Sequence, residues 1–375
     1  MIYLDNAATT KALDVAIESL VTYAGEKFYN PSAGYAPALE VKKALALATE
    51  EFAQLLGAVK EEIIFTSCAT ESNNTAFECG IKNKKGNVVV SSMEHASVYE
   101  SAMKLKSRGV DVRFIPLNKD GFVTEEALRE VMDANTAFVS IIHASNETGE
   151  INDIATLSEV AKSINPKVIF HSDGVQAFCK IPIDLGLTKV DLYSVSAHKV
   201  GGLKGVGALY VKKGLNIQPF IVGGGQQNNR RSGTENVGGI IGFAKAACEY
   251  RESAKRIDAN GLRNRIISKF SGKDWVKVNG SGNNTGYVLS LSFKGLKGEV
   301  IANMAQEQGV LIGLGSACST HVKSNRVLEA MGVDKSFANG SIRISISPFT
   351  REDEIQIATD IILNSAEKLK EKING

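Results

Sequence analysis

The sequence predicts an α/β protein with a mostly parallel sheet flanked by helices, followed by a smaller α+β unit. Three observations carry this. From about residue 60 to 210, short apolar runs alternate with longer amphipathic stretches, the pattern of strands joined through helices. After Asn236 the rhythm changes. A chain of 375 residues also exceeds the size at which one hydrophobic core usually stops growing, so two packed units are expected.

The predicted strands of the first unit are Ile63–Thr66, Val88–Ser91, Val112–Ile115, Ala137–Ile142, Val168–His171, Leu192–Val195 and Gly207–Val211, with helices such as Ser97–Lys106 and Ile154–Ser163 between them. An alanine-rich helical stretch then runs from Asn236 to about Ala259. Beyond it come strands Val288–Phe293 and Ile342–Ile346 and helices Gly298–Gln308 and Arg351–Lys372. The last helix has Thr350 as its expected N-cap, and Glu352, Asp353 and Glu354 suit the positive end of its dipole.

With 43 basic and 41 acidic side chains, the charge is too balanced for nucleic acid or an anionic membrane to be the main partner. Five scattered cysteines without a Cys-x-x-Cys pair argue against a disulfide framework or a metal site, and fit reduced thiols. The start, Met1–Asn6, has neither a basic nor an apolar signal region, and no apolar run is long enough to span a bilayer, so a cytoplasmic location is expected. Neither Gly-x-x-x-x-Gly-Lys-Ser/Thr nor Gly-x-Gly-x-x-Gly occurs, which removes the main support for nucleoside triphosphate or dinucleotide binding.

Two residues at predicted strand ends carry the chemical argument. Asp173 follows a buried strand, where an open α/β sheet places its ligand crevice. There a carboxylate either holds a pyridine nitrogen protonated, as pyridoxal phosphate requires, or merely caps a helix. Lys199, in Ser196-Ala197-His198-Lys199, follows the end of the next predicted strand at the same sheet mouth, and partial desolvation favours the neutral amine that forms a Schiff base. A lone lysine would be read as solvated surface; acid and amine together point to the cofactor. Ser67–Ser72 forms a small-residue turn into a helix beginning near Glu71, a setting that suits a phosphate.

Other candidates have plainer alternatives. His95 lies flat over a ring or is a satisfied core histidine; Asn146 binds a ligand or forms a turn. Arg343 alternates with isoleucines, among serines, and either grips a carboxylate or is solvated. Cys318 sits in Gly313–Thr320, a run with little to bury, and reads as a mobile, reactive thiolate. His321 lacks a second ligand pair, so no metal site is expected.

Taken together, Tyr3–Thr10, Ala69–Ser72, Asn146-Glu147, Asp173–Gln176, Ser196–Lys199, Arg231–Thr234 and Gly315–Thr320 resemble the NifS/IscS-type cysteine desulfurases of the fold-type I, class-V aminotransferase superfamily. The resemblance implies pyridoxal phosphate bound as an imine on Lys199, with Asp173 at the pyridine nitrogen, Gln176 at the ring hydroxyl and His95 stacked on the ring. Ala69, Thr70, Ser196 and His198 would hold the phosphate, and Thr234 would reach the phosphate of a neighbouring subunit, implying a homodimer with shared sites. Asn146, next to the cofactor, and Arg343 would fix the carboxylate of L-cysteine. Cys318 would take the substrate sulfur as a persulfide, leaving alanine, and pass it to an acceptor such as an iron–sulfur scaffold or a tRNA-thiolation enzyme.

The implied division is a large domain, 13–255, and a small one of 1–12 and 256–375 carrying the Cys318 loop. Cys68, Ser145, Tyr35 and Val200–Leu203 depart from usual family residues, and none removes a catalytic group. A related lyase or aminotransferase acting on another amino acid, for example selenocysteine, is the alternative.

Overall fold

The computed structural model describes residues 1–81, 86–280, 282–314 and 325–374. Its strands are β1 (Ile2–Leu4), β2 (Ile63–Thr66), β3 (Asn87–Ser91), β4 (Val112–Ile115), β5 (Thr136–Ser140), β6 (Ile169–Asp173), β7 (Leu192–Ser196), β8 (Gly207–Val211), β9 (Val276–Asn279), β10 (Val288–Phe293), β11 (Val310–Ile312) and β12 (Ser341–Ser345). Strands β2 to β8 form one sheet in the order β2-β8-β7-β6-β5-β3-β4. All its pairings are parallel except those of β8, which runs antiparallel between β2 and β7.

Burial on both faces explains the composition of this sheet. In Asn87-Val88-Val89-Val90-Ser91 every residue is buried, as parallel strands covered by helices on each side require. Alternation sorts the side chains: Val89 joins Phe52, Phe178 and Phe243 on one face, where helices Ala36–Gln54 and Val237–Ala254 pack, while Val88 and Val90 join Phe77 and Val98 on the other. Crossover helices start at side-chain caps, with Thr124 accepting from Ala127 N and Asp153 from Thr156 N.

The remaining strands build a separate core. Strands β9 and β12 flank β10 antiparallel, and β1 pairs in parallel with β11. Leu4, Phe270, Trp275, Phe293, Ile301, Ile342, Ile344 and Ile362 pack together there. Bridges Asp5–Ser345 and Gly313–Arg343 attach the β1–β11 pair to β12, so the first residues of the chain fold with the last third.

Several local expectations change. The helical stretch expected from Asn236 to Ala259 breaks after Ala254, and Asp258 caps a new helix, Ala259–Phe270, by accepting from Gly261 N. The helix expected near Glu71 begins at Ala69. Thr350 does not cap the last helix: its hydroxyl accepts from Ser347 N at 2.9 Å, while Arg351 N donates back to Glu354 at 3.1 Å. No helix among the described residues is long and apolar enough to cross a membrane.

Candidate active site

The carboxyl ends of β6 and β7 and the N-terminal turn Asp5–Thr10 meet in one crevice. Asp173 is the last residue of β6, buried, and its Oδ2 accepts from Asn73 Nδ2 at 2.8 Å. Its Oδ1 accepts from Val175 N at 3.0 Å, so the local-turn role and the crevice role coexist. Gly174 follows because nothing larger fits: a Cβ there would lie 1.9 Å from the Tyr193 ring.

Lys199 ends a short turn, Ala197–Lys199, leaving β7. It is half-buried, and its Nζ donates to the carbonyls of Ala7 and Ala8, both at 2.7 Å. Burial lowers its pKa to about 8, with Arg343 adding to the effect and Asp173 and Asp5 opposing it. About one molecule in ten then carries a neutral amine at pH 7, against roughly one in a few thousand for an ordinary lysine. The amine is therefore predisposed to attack a carbonyl.

His95 caps helix Ala96–Ser107, its Nδ1 accepting from Ser97 N at 3.2 Å. Ser97 Oγ lies 2.9 Å from Nδ1 and accepts from Asn73 Nδ2 at 2.8 Å. Asn73 thus links the histidine to Asp173. With Nδ1 occupied, Nε2 is the nitrogen left for the crevice. The ring is open to solvent yet deep in the fold, and desolvation lowers its pKa, Asp173 notwithstanding.

The predicted phosphate residues surround the same region. Ser196 Oγ is buried without a partner. His198 Nδ1 lies 3.2 Å from Thr9 Oγ1, and burial, aided by Lys199, Lys204 and Lys180, lowers its pKa to about 4, so it acts as a neutral group. Ala69 is buried and Thr70 exposed in the first turn of helix Ala69–Ile81. Glu71, one residue on, pairs with Arg231 at 2.9 Å, which ties the Arg231–Thr234 loop to this turn. Thr234 itself is exposed and lines an outer pocket with Tyr23, Phe28 and Tyr29.

Gln176 Nε2 donates to Ala7 O at 3.0 Å. Of the two alternatives for Arg343, gripping a carboxylate or standing solvated, burial removes the second, because both faces of β12 are covered. Its guanidinium meets Asp5 at 2.9 Å, Asn146 O at 3.0 Å and Glu147 at 3.7 Å, and its Nε has no partner. Asn146 therefore touches Arg343 through its backbone. Cys318 and His321 lie outside the described residues, and no cluster of potential metal ligands occurs among the described ones.

Asn73, Ser97, Asp5, Ala7 and Lys180 were not anticipated. Asn73 carried a signal, standing one turn beyond Ala69 on the same helix, and Ser97 and Lys180 lie two and four residues from His95 and Gln176; Asp5 and Ala7 depend on contacts across the fold. The unpartnered Ser196 Oγ beside a partly neutral lysine and a buried carboxylate fits pyridoxal phosphate, which needs an amine, an acid for its ring nitrogen and donors for its phosphate.

Comparison with known proteins agrees with this geometry. The aminotransferase class-V family model matches residues 2–357. The chain is 37% identical to a protein named cysteine desulfurase IscS from Dictyoglomus turgidum, over 98% of this chain and 95% of that one. It is 34% identical to a cysteine desulfurase IscS from Methanosarcina thermophila, over 98% and 93%. A solved NifS-like protein superposes with a TM-score of 0.89 at 34% identity, covering 98% of this chain and 99% of the other. The chain belongs to the class-V aminotransferase family and, within it, to the NifS/IscS-type cysteine desulfurases.

Proposed function

We propose that the protein binds pyridoxal phosphate on Lys199 and converts L-cysteine to L-alanine, holding the sulfur as a persulfide on Cys318. The observation that carries this reading is the convergence of Lys199 and Arg343 on one turn: Lys199 binds the Ala7 and Ala8 carbonyls, and Arg343 binds Asp5. When bound, the cofactor supplies an electron sink for the substrate α-carbon.

Asp173 serves the ring nitrogen, Gln176 the ring oxygen, and His95 covers the ring and carries protons at Nε2. Ala69, Thr70, Ser196 and His198 take the phosphate. Thr234, exposed on its loop, reaches the phosphate site of a second copy, so the assembly is a homodimer. The apolar surface near that loop, Leu20, Val21, Phe28 and Tyr35, is exposed and suits such burial. Arg343 and Asn146 hold the substrate carboxylate, and Lys199, once free, moves the α-proton. Cys318 attacks the substrate sulfur as thiolate: the S–S bond forms, the C–S bond breaks with its electron pair staying on carbon, and alanine leaves after protonation.

The same reading assigns residues 13–255 to the large domain, and 1–12 with 256–375 to the small one. A cytoplasmic setting suits a chemistry that needs reduced thiols, and an iron–sulfur scaffold or a tRNA-thiolation enzyme is the class of acceptor. Cys318→Ala tests the proposal. The variant is expected to keep the cofactor's colour and lose sulfide release from cysteine in the presence of a thiol reductant; undiminished turnover would overturn it.

A further inference from the structure

Lys180 is a titratable group that none of these roles uses. It is half-buried four residues beyond Gln176, in the turn that follows β6, and its Nζ donates to Gln176 Oε1 at 3.0 Å. Gln176 Nε2 donates in turn to Ala7 O at 3.0 Å, the carbonyl that also accepts Lys199 Nζ at 2.7 Å. One hydrogen-bonded path therefore runs from Lys180 through Gln176 to the point where the reactive amine is held.

The direction of this path is chemically determined. While charged, Lys180 only donates, and Ala7 O only accepts, so the two partners fix the amide from both ends, oxygen toward Lys180 and NH2 toward Ala7. The NH2 group then faces the crevice, with one hydrogen on Ala7 O and the second unassigned. With the opposite orientation a carbonyl would face the negatively polarised ring oxygen, a repulsive arrangement.

The charged and titratable surroundings leave Lys180 poorly compensated. From the turn after β7 it faces Lys199 and His198; beside it is the buried Cys179 thiol, which helix Val237–Ala254 approaches with Arg251 and Cys248. No carboxylate contributes to its field. Burial and Lys199 lower its pKa to about 7, so its charge adds to the field at Lys199 mainly below that pH.

Resting on the assignment of Lys199 as the cofactor-bearing residue, we propose that Lys180 is a positioning residue. Together with Ala7 O it holds the Gln176 NH2 group toward the cofactor's ring oxygen, and its charge favours loss of the proton from the Lys199 nitrogen.

The test is the pH dependence of the visible absorption of the protein loaded with pyridoxal phosphate, in wild type, Lys180→Met, Lys180→Gln and Lys180→Arg. Met removes charge and donor, and the spectral midpoint is expected to rise by about one unit. Gln keeps a donor for Gln176 Oε1 without the charge and is expected to shift the midpoint less, while Arg, which keeps both, restores it toward wild type. A loaded, folded Lys180→Met protein with an unmoved midpoint would overturn the proposal. If Met prevents folding, an unmoved midpoint in Lys180→Gln overturns it equally. A wild-type protein that takes up no colour would instead defeat the assignment of Lys199, which is a separate failure.

Discussion

The two walls of the crevice are prepared in opposite ways. On the large sheet, capacity is left unused: Ser196 Oγ has no partner, and Lys199 is tied only to backbone carbonyls. On the small unit, Arg343 is already neutralised by Asp5 and Glu147, with its side chain about 8% exposed. A buried guanidinium left without a counter-ion is costly, so the carboxylates hold Arg343 in place. The consequence is competition: an incoming substrate carboxylate must displace Asp5 or share the guanidinium with it. One wall waits for its ligand, and the other exchanges an internal partner for it.

Breaking the first wall should have the largest effect. Lys199→Ala removes the covalent anchor and the proton carrier together, and turnover of cysteine should fall by at least about a thousandfold. Steady-state sulfide release measures this, and a variant within tenfold of wild type would remove Lys199 from the chemistry.

The second wall is sharpened by a pair of opposed changes. Arg343→Ala deletes a charge-assisted contact of about 1.5–3 kcal/mol, so kcat/KM should fall roughly 10- to 100-fold, mainly through KM. Asp5→Asn removes the competitor while keeping the shape, and KM for cysteine should drop a few-fold. If Asp5→Asn instead raises KM as Arg343→Ala does, Asp5 orients the arginine and does not compete with substrate.

The contrast between the walls also explains what could be read in advance. Strands Ile63–Thr66 and Gly207–Val211 match their sequence readings residue for residue, because doubly buried strands are apolar runs bounded by turn residues. Asp173 and Lys199 follow from the ends of β6 and β7, whose readings, Val168–His171 and Leu192–Val195, stop short of the observed last residues Asp173 and Ser196. The small-unit wall was harder, since alternation on a face with serines left Arg343 either gripping a carboxylate or solvated. That face is covered by the N-terminal turn, with Ser345 Oγ accepting from Ala7 N at 2.8 Å across 338 residues of sequence. Asp5 and Ala7 gain their roles only through such contacts, which no local pattern encodes.

Glu94 offers a last and gentler probe of how uncharged the first wall is. It lies next to His95, buried, with Oε1 accepting from Ser91 Oγ and Ile142 N at 2.6 Å each and Oε2 without a partner. Burial pushes its pKa up to about 8, Asp173 adding to this while the bonds from Ser91 and Ile142 and the charge of Arg326 oppose it. An unfolded glutamate titrates near 4.3. Because the folded value is the higher one, its contribution to stability is full below about pH 4 and is lost as pH rises toward about 8. Glu94→Gln cannot ionise and should escape that loss. Its stability relative to wild type should therefore grow between pH 5.5 and 8.5 by a few kcal/mol at most, at about 1.4 kcal/mol per unit. Urea unfolding of both proteins at the two pH values measures the difference. Parallel behaviour would mean that Glu94 is ionised in the fold, and that the wall beside His95 carries a second negative charge next to Asp173.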